Sequence, residues 1–125
     1  RAVPAIRALG APVLVTAAYS AKQMFTATAL GAEYIAPYYG RMVEMGVDGD
    51  AALAEMLAIG RAAGGHTRIL VASIRDTDQL VRLGAAGQDC FTLAPKVAHA
   101  LLFDPNTLAA ANDFEEAARS RAVPS

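Results

Sequence analysis

The feature that most constrains the fold is a regular alternation between short apolar runs and longer amphipathic stretches. Four runs have the length and the β-branched or apolar content of buried strands, and they span residues 12–16, 33–36, 67–73 and 89–93. A stretch with helical spacing of apolar residues follows each run. Short strands that alternate with helices predict a parallel sheet with right-handed crossovers. We therefore expect an α/β fold.

Local signals predict where the helices begin and end. The stretch from Tyr19 ends at Gly31, which is a plausible C-cap, and Asp50 is expected to cap a helix that ends near Gly64. The segment between these helices, 38–49, is rich in Gly and polar residues and is predicted to be a loop. The last two units have helices that begin at Asp76 or Thr77 and at Pro95, and a further C-terminal helix is expected within residues 104–120, followed by a frayed tail from residue 121.

Two architectures fit four strand–helix units. A free-standing, flavodoxin-like sheet is disfavoured because no Gly-rich phosphate loop follows the first strand and the chain starts with what resembles the tail of a helix. The alternative is one half of a TIM (β/α)8 barrel, whose average length is about twice that of this chain. We expect this half-barrel to occupy residues 1–125. It would expose a core face and two strand edges, so it needs a partner.

The composition disfavours several functional classes. The 11 basic and 12 acidic residues are scattered along the chain, and the net charge of -1 does not favour binding to nucleic acid or to an anionic membrane. No stretch approaches the roughly 20 unbroken apolar residues of a spanning helix. The single cysteine, Cys90, cannot form an internal disulfide, so a reducing, cytoplasmic setting is expected.

Four segments in order resemble the transaldolase family, in particular its small members and the fructose-6-phosphate aldolases. The likeness covers nearly the whole chain, and the segments are similar to the family's fifth to eighth barrel strands. They are Pro-Val-Leu-Val-Thr with Tyr-Ser-Ala-Lys-Gln (12–16 and 19–23), Gly-Ala-Glu-Tyr-Ile-Ala-Pro-Tyr-Tyr-Gly-Arg (31–41), Ile-Leu-Val-Ala-Ser-Ile-Arg (69–75), and Asp-Cys-Phe-Thr-Leu (89–93) with Val97.

This resemblance implies a class I aldolase or transaldolase of carbohydrate metabolism, such as the pentose phosphate pathway, that forms a Schiff base between a lysine and a ketose phosphate such as fructose 6-phosphate. The protonated imine is an electron sink, so neither a metal nor another cofactor is needed. The family's lysine lies on the fourth strand, and its proton-handling aspartate lies on the first strand. Both are expected to be missing here, and Lys22 and Lys96 are predicted on outer helices. The chain as given is therefore expected to be inactive alone.

The resemblance assigns catalytic roles to Thr16 and Tyr38. Thr16 is expected to end a strand at the rim where barrel active sites are built. Its hydroxyl would hold a water or form a hydrogen bond near the imine. Tyr38 would assist proton transfer. The family tends to carry Tyr here in aldolases and Phe in transaldolases, so Tyr38 favours aldol cleavage. The structural alternatives are a β-branched strand residue and an aromatic lid, and Tyr39 is expected to be packing.

Three residues are expected to bind the substrate phosphate: Arg41, Ser73 and Arg75. Arginine presents a planar fork of donors that suits phosphate oxygens, and serine adds a hydroxyl donor. All three are predicted just past strand ends on the same side of the sheet. After Arg41 the sequence departs from the family, which often continues with Ile and acidic residues, whereas this chain has Met-Val-Glu at 42–44.

Other residues have structural interpretations. Cys90 is expected to be inert packing, and His66 and His99 do not form a metal-ligand pair, so no metal site is predicted. The apolar residues 101–103 and Phe114 are expected to dock the last helices or contact a neighbouring subunit.

The expected partners are a sugar phosphate and either the missing N-terminal half-barrel or another copy of the chain, in a homo-oligomer. Two alternatives remain open: a non-catalytic half-barrel that binds sugar phosphate or assembles with a partner half, and a flavodoxin-like binding domain.

Overall fold

The computed structural model describes residues 1–122 and has an α/β architecture. The last three residues of the expected domain and of its frayed tail, 123–125, lie outside the described range. In chain order the elements are α1 (Ala2–Ala8), β1 (Leu14–Ala18), α2 (Ala21–Ala29), β2 (Tyr34–Pro37), α3 (Tyr39–Glu44), α4 (Gly49–Ala62), β3 (Arg68–Ile69), α5 (Thr77–Ala85), α6 (Pro95–Leu102) and α7 (Pro105–Arg121).

The described strands form a parallel sheet in the order β1-β2-β3. The predicted third run is a regular strand only at its start and then continues as an isolated bridge between Tyr38 and Ala72. The predicted fourth run joins through one bridge, between Val71 and Phe91. The α/β prediction is confirmed, but four full strand–helix units are not observed. The fourth run is the outermost strand and has a described strand on one side only. Its backbone hydrogen bonds to that strand are those of Val71 with Cys90 and Thr92.

The segment 38–49 is not simply a loop, because it contains α3. A short helix is stable here since Tyr39 and Gly40 donate their backbone N–H groups to the carbonyls of Ala72 and Ser73, each at 2.9 Å. Such first-turn N–H groups have no acceptor within their own helix. Acceptors from the third strand segment, residues 68–73, which begins with β3, therefore supply what the local sequence does not.

The predicted cap at Asp50 is wrong. Asp48 caps α4 by accepting from the N–H of Ala51 at 3.0 Å, and Asp50 lies in the first turn. Asp50 instead contacts side chains of α3 and α5. The caps at the starts of α5 and α7 are aspartates, Asp76 and Asp104, whose carboxylates accept first-turn N–H groups.

The helices pack against one face of the sheet. Ile35 and Ile69 are register partners on this face and are buried, and Val15 is the partner of Ile35 in β1. They pack with buried side chains of the helices: Met24, Leu53, Met56, Leu80, Leu83 and Val97. Neighbouring residues of a strand point to opposite faces, so Leu14 and Thr16 lie on the other face and are exposed. The apolar side chain of Leu14 on this face of β1 is therefore uncovered.

The last helix does not dock on the rest of the chain. α7 has no buried residue. Residues 101–103 are exposed, and Phe114 is 76% exposed. The expectation that these groups dock the last helices against the body is therefore wrong for this chain, because the apolar face of the sheet core is already filled by α2, α4 and α5.

Gly40 is the point where α3 approaches the third strand segment most closely. A Cβ added there would overlap the carbonyl oxygen of Ser73 and would lie 2.9 Å from Nε of Arg75. The backbone of Gly40 is helical, so this requirement comes from lack of space and not from an unusual φ.

We predict that Gly40→Ala destabilises the chain by about 2–3 kcal/mol, because the new methyl group forces α3 away from Ser73. The measurement is the free energy of unfolding in urea. Gly84→Ala is the matched control, since Gly84 is also helical and a Cβ there meets no atom within 4 Å. The control is expected to stabilise by about 0.5 kcal/mol through helix propensity. Equal effects of the two substitutions would contradict the close approach.

Candidate active site

The carboxyl ends of β1, β2 and the third strand segment bring five polar side chains together at one end of the sheet. Tyr38 donates its backbone N–H to the carbonyl of Ala18 at 3.1 Å, and it is also the bridge partner of Ala72. The carboxyl ends of β1 and the third strand segment are thereby fixed on either side of β2. Parallel strands place all their carboxyl ends at the same edge, which is where open and closed α/β folds build their sites.

Thr16 and Tyr38 are in direct contact. The hydroxyl of Thr16 donates to the phenol oxygen of Tyr38 at 3.1 Å. The ring of Tyr19 packs edge-on against that of Tyr38, with centroids 5.9 Å apart and planes at 71°, which restrains the phenol. Thr16 is exposed and Tyr38 is half-buried. The two hydroxyls form a solvent-facing pair that can hold a water or pass a proton.

Arg41 lies above the same phenol. Its guanidinium carbon is 5.7 Å from the centre of the Tyr38 ring, within the range of a cation–π contact. Arg41 is the third residue of α3 and is exposed, so its N–H donors face solvent. The position of α3 therefore fixes the distance between the cation and the phenol.

Ser73 has two unusual features. Its φ is +64°, in the left-handed region that non-glycine residues rarely occupy. Its hydroxyl oxygen is buried and has no hydrogen-bond partner within residues 1–122. Leaving a buried hydroxyl unpaired costs about 1–3 kcal/mol. Backbone strain and an unpaired donor at a strand end are both typical of ligand sites.

Arg75 lies beside Gly40 and points along α3. Its Nε donates to a carboxylate oxygen of Glu44 at 2.9 Å, and its backbone N–H donates to the side chain of Gln79 at 2.9 Å. All five residues predicted from the sequence therefore lie at one end of the sheet. Thr16, Tyr38 and Arg41 are linked through the phenol of Tyr38, and Ser73 and Arg75 both flank Gly40.

The sequence did not reveal a hydrogen-bonded network around the buried Tyr39 beneath this end of the sheet, whose other members, Asp50 and Arg82, are exposed. Tyr39 is 1% exposed, its phenol donates to a carboxylate oxygen of Asp50 at 2.6 Å, and it accepts from Nη2 of Arg82. Burial raises the pKa of the Tyr39 phenol above its usual value, and the Asp50 carboxylate raises it further. The phenol is therefore protonated at neutral pH and ties α3 to α4 and α5. A phenol that contacts a carboxylate and a guanidinium from two separate helices leaves no motif in the sequence.

Both lysines lie on helices and are exposed, Lys22 on α2 and Lys96 on α6. No group of three or more His, Cys, Asp or Glu side chains that could hold a metal occurs within residues 1–122. In the same range, none of the helices has the length and apolar character needed to cross a membrane.

Glu33 lies at the opposite end of the sheet, where β2 begins. It accepts from the backbone N–H of Val13 at 2.6 Å and pairs with Arg7 at 3.2 Å. The N–H of Val13 lowers the pKa of the Glu33 carboxyl against the opposing effect of desolvation, and the backbone N–H of Glu33 itself and then Arg7 lower it further. The contact ties α1 to the start of β1 and β2, far from the predicted site.

Comparison with known proteins identifies a matching family. The profile of the family described as Transaldolase/Fructose-6-phosphate aldolase matches residues 1–123. A probable transaldolase of Chelativorans sp. (strain BNC1) is 36% identical over 107 residues, which cover 86% of this chain and 49% of that protein.

Two further relatives have the same description. A probable transaldolase of Phenylobacterium zucineum (strain HLK1) is 39% identical over 93 residues, which cover 74% of this chain and 43% of the relative. One from Bartonella henselae is 32% identical over 116 residues, which cover 93% of this chain and 53% of the relative. The chain spans about half the length of the curated relatives that it matches.

The strand-end signature, the match over nearly the whole sequence and these relatives together identify the family. The chain belongs to the transaldolase/fructose-6-phosphate aldolase family.

Proposed function

We propose that this chain is part of a Schiff-base aldolase or transaldolase that acts on ketose phosphates such as fructose 6-phosphate. The observation that carries the proposal is the convergence of Thr16, Tyr38, Arg41, Ser73 and Arg75 at one edge of a parallel sheet. The chemistry is the formation of an imine between a lysine and the substrate carbonyl, which then accepts the electron pair of the broken carbon–carbon bond. The proposed compartment is the cytoplasm, and the proposed role is in carbohydrate metabolism.

In this proposal Arg41, Ser73 and Arg75 bind the substrate phosphate. The two guanidinium groups offer charge-assisted donors, and the buried hydroxyl of Ser73 would gain the partner that it lacks within the described chain. Arg41 directly follows Gly40 in the chain, and the side chain of Arg75 passes beside Gly40. In this proposal a dianionic phosphate accepts from both guanidinium groups and from the serine hydroxyl.

Thr16 and Tyr38 are the proposed proton-handling pair. Their hydroxyls are already hydrogen-bonded, and a water between them and a substrate hydroxyl could carry a proton to or from the reacting carbon. The cation of Arg41 lies over the face of the Tyr38 ring, so phosphate binding and proton transfer occur side by side. A phenol at this position favours aldol cleavage over transfer to a second aldehyde.

The proposed architecture is one half of a (β/α)8 barrel. Two observations support it: the helices cover one face of the sheet only, and Leu14 on the other face is 45% exposed. The other half of the barrel would supply the imine-forming lysine, because both lysines of this chain lie on outer helices. The chain alone is therefore proposed to be inactive. The apolar residues on α6 and α7 are proposed to contact another subunit of a homo-oligomer.

A second candidate is a non-catalytic half-barrel that binds sugar phosphate or assembles with a partner half. It is favoured by the same uncovered sheet face combined with the proposed anion site. The two candidates differ in whether the chain contributes to imine chemistry when a complementary half is present.

We predict that the chain binds inorganic phosphate and that Arg41→Ala weakens this binding about tenfold or more, because a charge-assisted hydrogen bond contributes roughly 1.5–3 kcal/mol. Isothermal titration calorimetry at low salt measures the affinity. Arg119→Ala on α7 is the matched control and is expected to have no effect, since Arg119 is highly exposed and pairs only with Glu115 within the described residues. Equal affinities of the two variants would contradict the phosphate site.

We predict that borohydride reduction in the presence of fructose 6-phosphate leaves this chain unlabelled. Labelling is expected after the N-terminal half of a full-length relative is added, and the adduct should map to a lysine of the added half. Mass spectrometry of the reduced mixture locates the adduct. An adduct on Lys22 or Lys96 would contradict the assignment of the site, and complementation without any adduct would favour the non-catalytic candidate.

A further inference from the structure

We infer that Glu44 is a positioning residue of the anion site, which holds the guanidinium of Arg75 in the orientation that binds phosphate. The inference rests on the proposed function, because it assigns a role to a residue beside the proposed phosphate site.

The contact between the two side chains leaves most donors of Arg75 available. Nε of Arg75 donates to Oε1 of Glu44 at 2.9 Å. A guanidinium has five N–H donors, so this bond uses one and leaves the four on the terminal nitrogens. Within residues 1–122 these terminal nitrogens make no hydrogen bond. Glu44 therefore restrains the arginine through Nε and leaves its two terminal nitrogens available to a ligand.

A second restraint acts on the stem of the same side chain. Arg75 passes so close to Gly40 that a Cβ there would lie 3.0 Å from its Cγ and 2.9 Å from its Nε. The Gly40 backbone is itself held by the carbonyl of Ser73. The side chain of Arg75 is thus confined between the bare backbone of Gly40 and the carboxylate of Glu44. Both belong to α3, which also carries Arg41, so one helix sets the positions of both arginines.

The ion pair contributes little to folding. The side chains of Arg75 and Glu44 are 49% and 58% exposed, and pairs at this exposure are weak. Its effect is on binding, because an arginine that is already ordered loses less rotamer freedom when phosphate arrives. The charge of Glu44 acts in the opposite direction, since a carboxylate near the site repels phosphate. Substitutions that separate the hydrogen bond from the charge distinguish the two effects.

The test compares phosphate binding by Glu44→Ala and Glu44→Gln. Glu44→Ala removes the acceptor and is expected to weaken binding about fivefold through the freed side chain. Glu44→Gln keeps an oxygen that accepts from Nε and is expected to bind within about twofold of the unmodified chain. Glu55→Ala on α4 is the matched control, since Glu55 is also an exposed helical glutamate, and it should bind unchanged.

A second readout follows Arg75 itself. The Nε–H signal of Arg75 in nitrogen-15 NMR should exchange slowly with solvent in the unmodified chain and in Glu44→Gln, and rapidly in Glu44→Ala. The inference is contradicted if Glu44→Ala binds phosphate as tightly as the unmodified chain, or if Glu44→Gln fails to restore binding. Absence of phosphate binding by the unmodified chain contradicts the proposed function instead, and the Nε–H signal still decides whether Glu44 holds Arg75.

Discussion

The candidate site depends on the contact between the start of α3 and the end of the third strand segment. The first-turn N–H groups of α3, on Tyr39 and Gly40, have no acceptors in their own helix and bond instead to the carbonyls of Ala72 and Ser73. The bond to Ser73 requires that Gly40 has no side chain, because a Cβ there would overlap the Ser73 carbonyl oxygen. Since α3 directly follows β2, the contact places Tyr38 and Arg41 beside residues that lie far along the chain. One local constraint thereby assembles groups from three strand ends.

The sheet is stabilised from one side, and this shapes what the molecule can do. Met24, Leu53 and Met56 fill the space between the helices and the strands, and the opposite face carries the exposed Leu14 and Thr16. An apolar strand face in water is unfavourable in an isolated protein. The same face carries the hydroxyl of Thr16 that contacts Tyr38. The surface proposed to receive the other half of the barrel is therefore also the surface on which the proposed substrate site opens.

Much of this arrangement could be predicted from local sequence. The alternation of apolar runs and helical stretches indicated an α/β fold, and Asp76, Pro95 and Asp104 mark helix starts through capping chemistry that acts over a few residues. The five candidate site residues were expected at strand ends, and parallel strands bring such ends together. Thr16 departs slightly from this expectation, because β1 continues past it to Ala18.

The failures have a common physical cause, which is tertiary contact. α3 forms inside a segment with loop composition because its acceptors come from the third strand segment, and Asp50 leaves the cap to Asp48 because Tyr39 and Arg82 bind its carboxylate. Nothing in the local sequence indicated that Glu44 is the partner of Arg75, which lies 31 residues further along the chain. Local propensity contains no information about such partners.

The most direct test of this account is native-state hydrogen exchange at the amides of Tyr39 and Gly40. If the carbonyls of Ala72 and Ser73 accept from them, these two amides should be protected nearly as strongly as the amide of Leu70, which donates to Ile35 within the sheet. The first-turn amides of α7, on Asn106 and Thr107, bond only to the exposed side chain of Asp104 and should exchange quickly. Exchange at Tyr39 and Gly40 as fast as at these two residues would contradict the account.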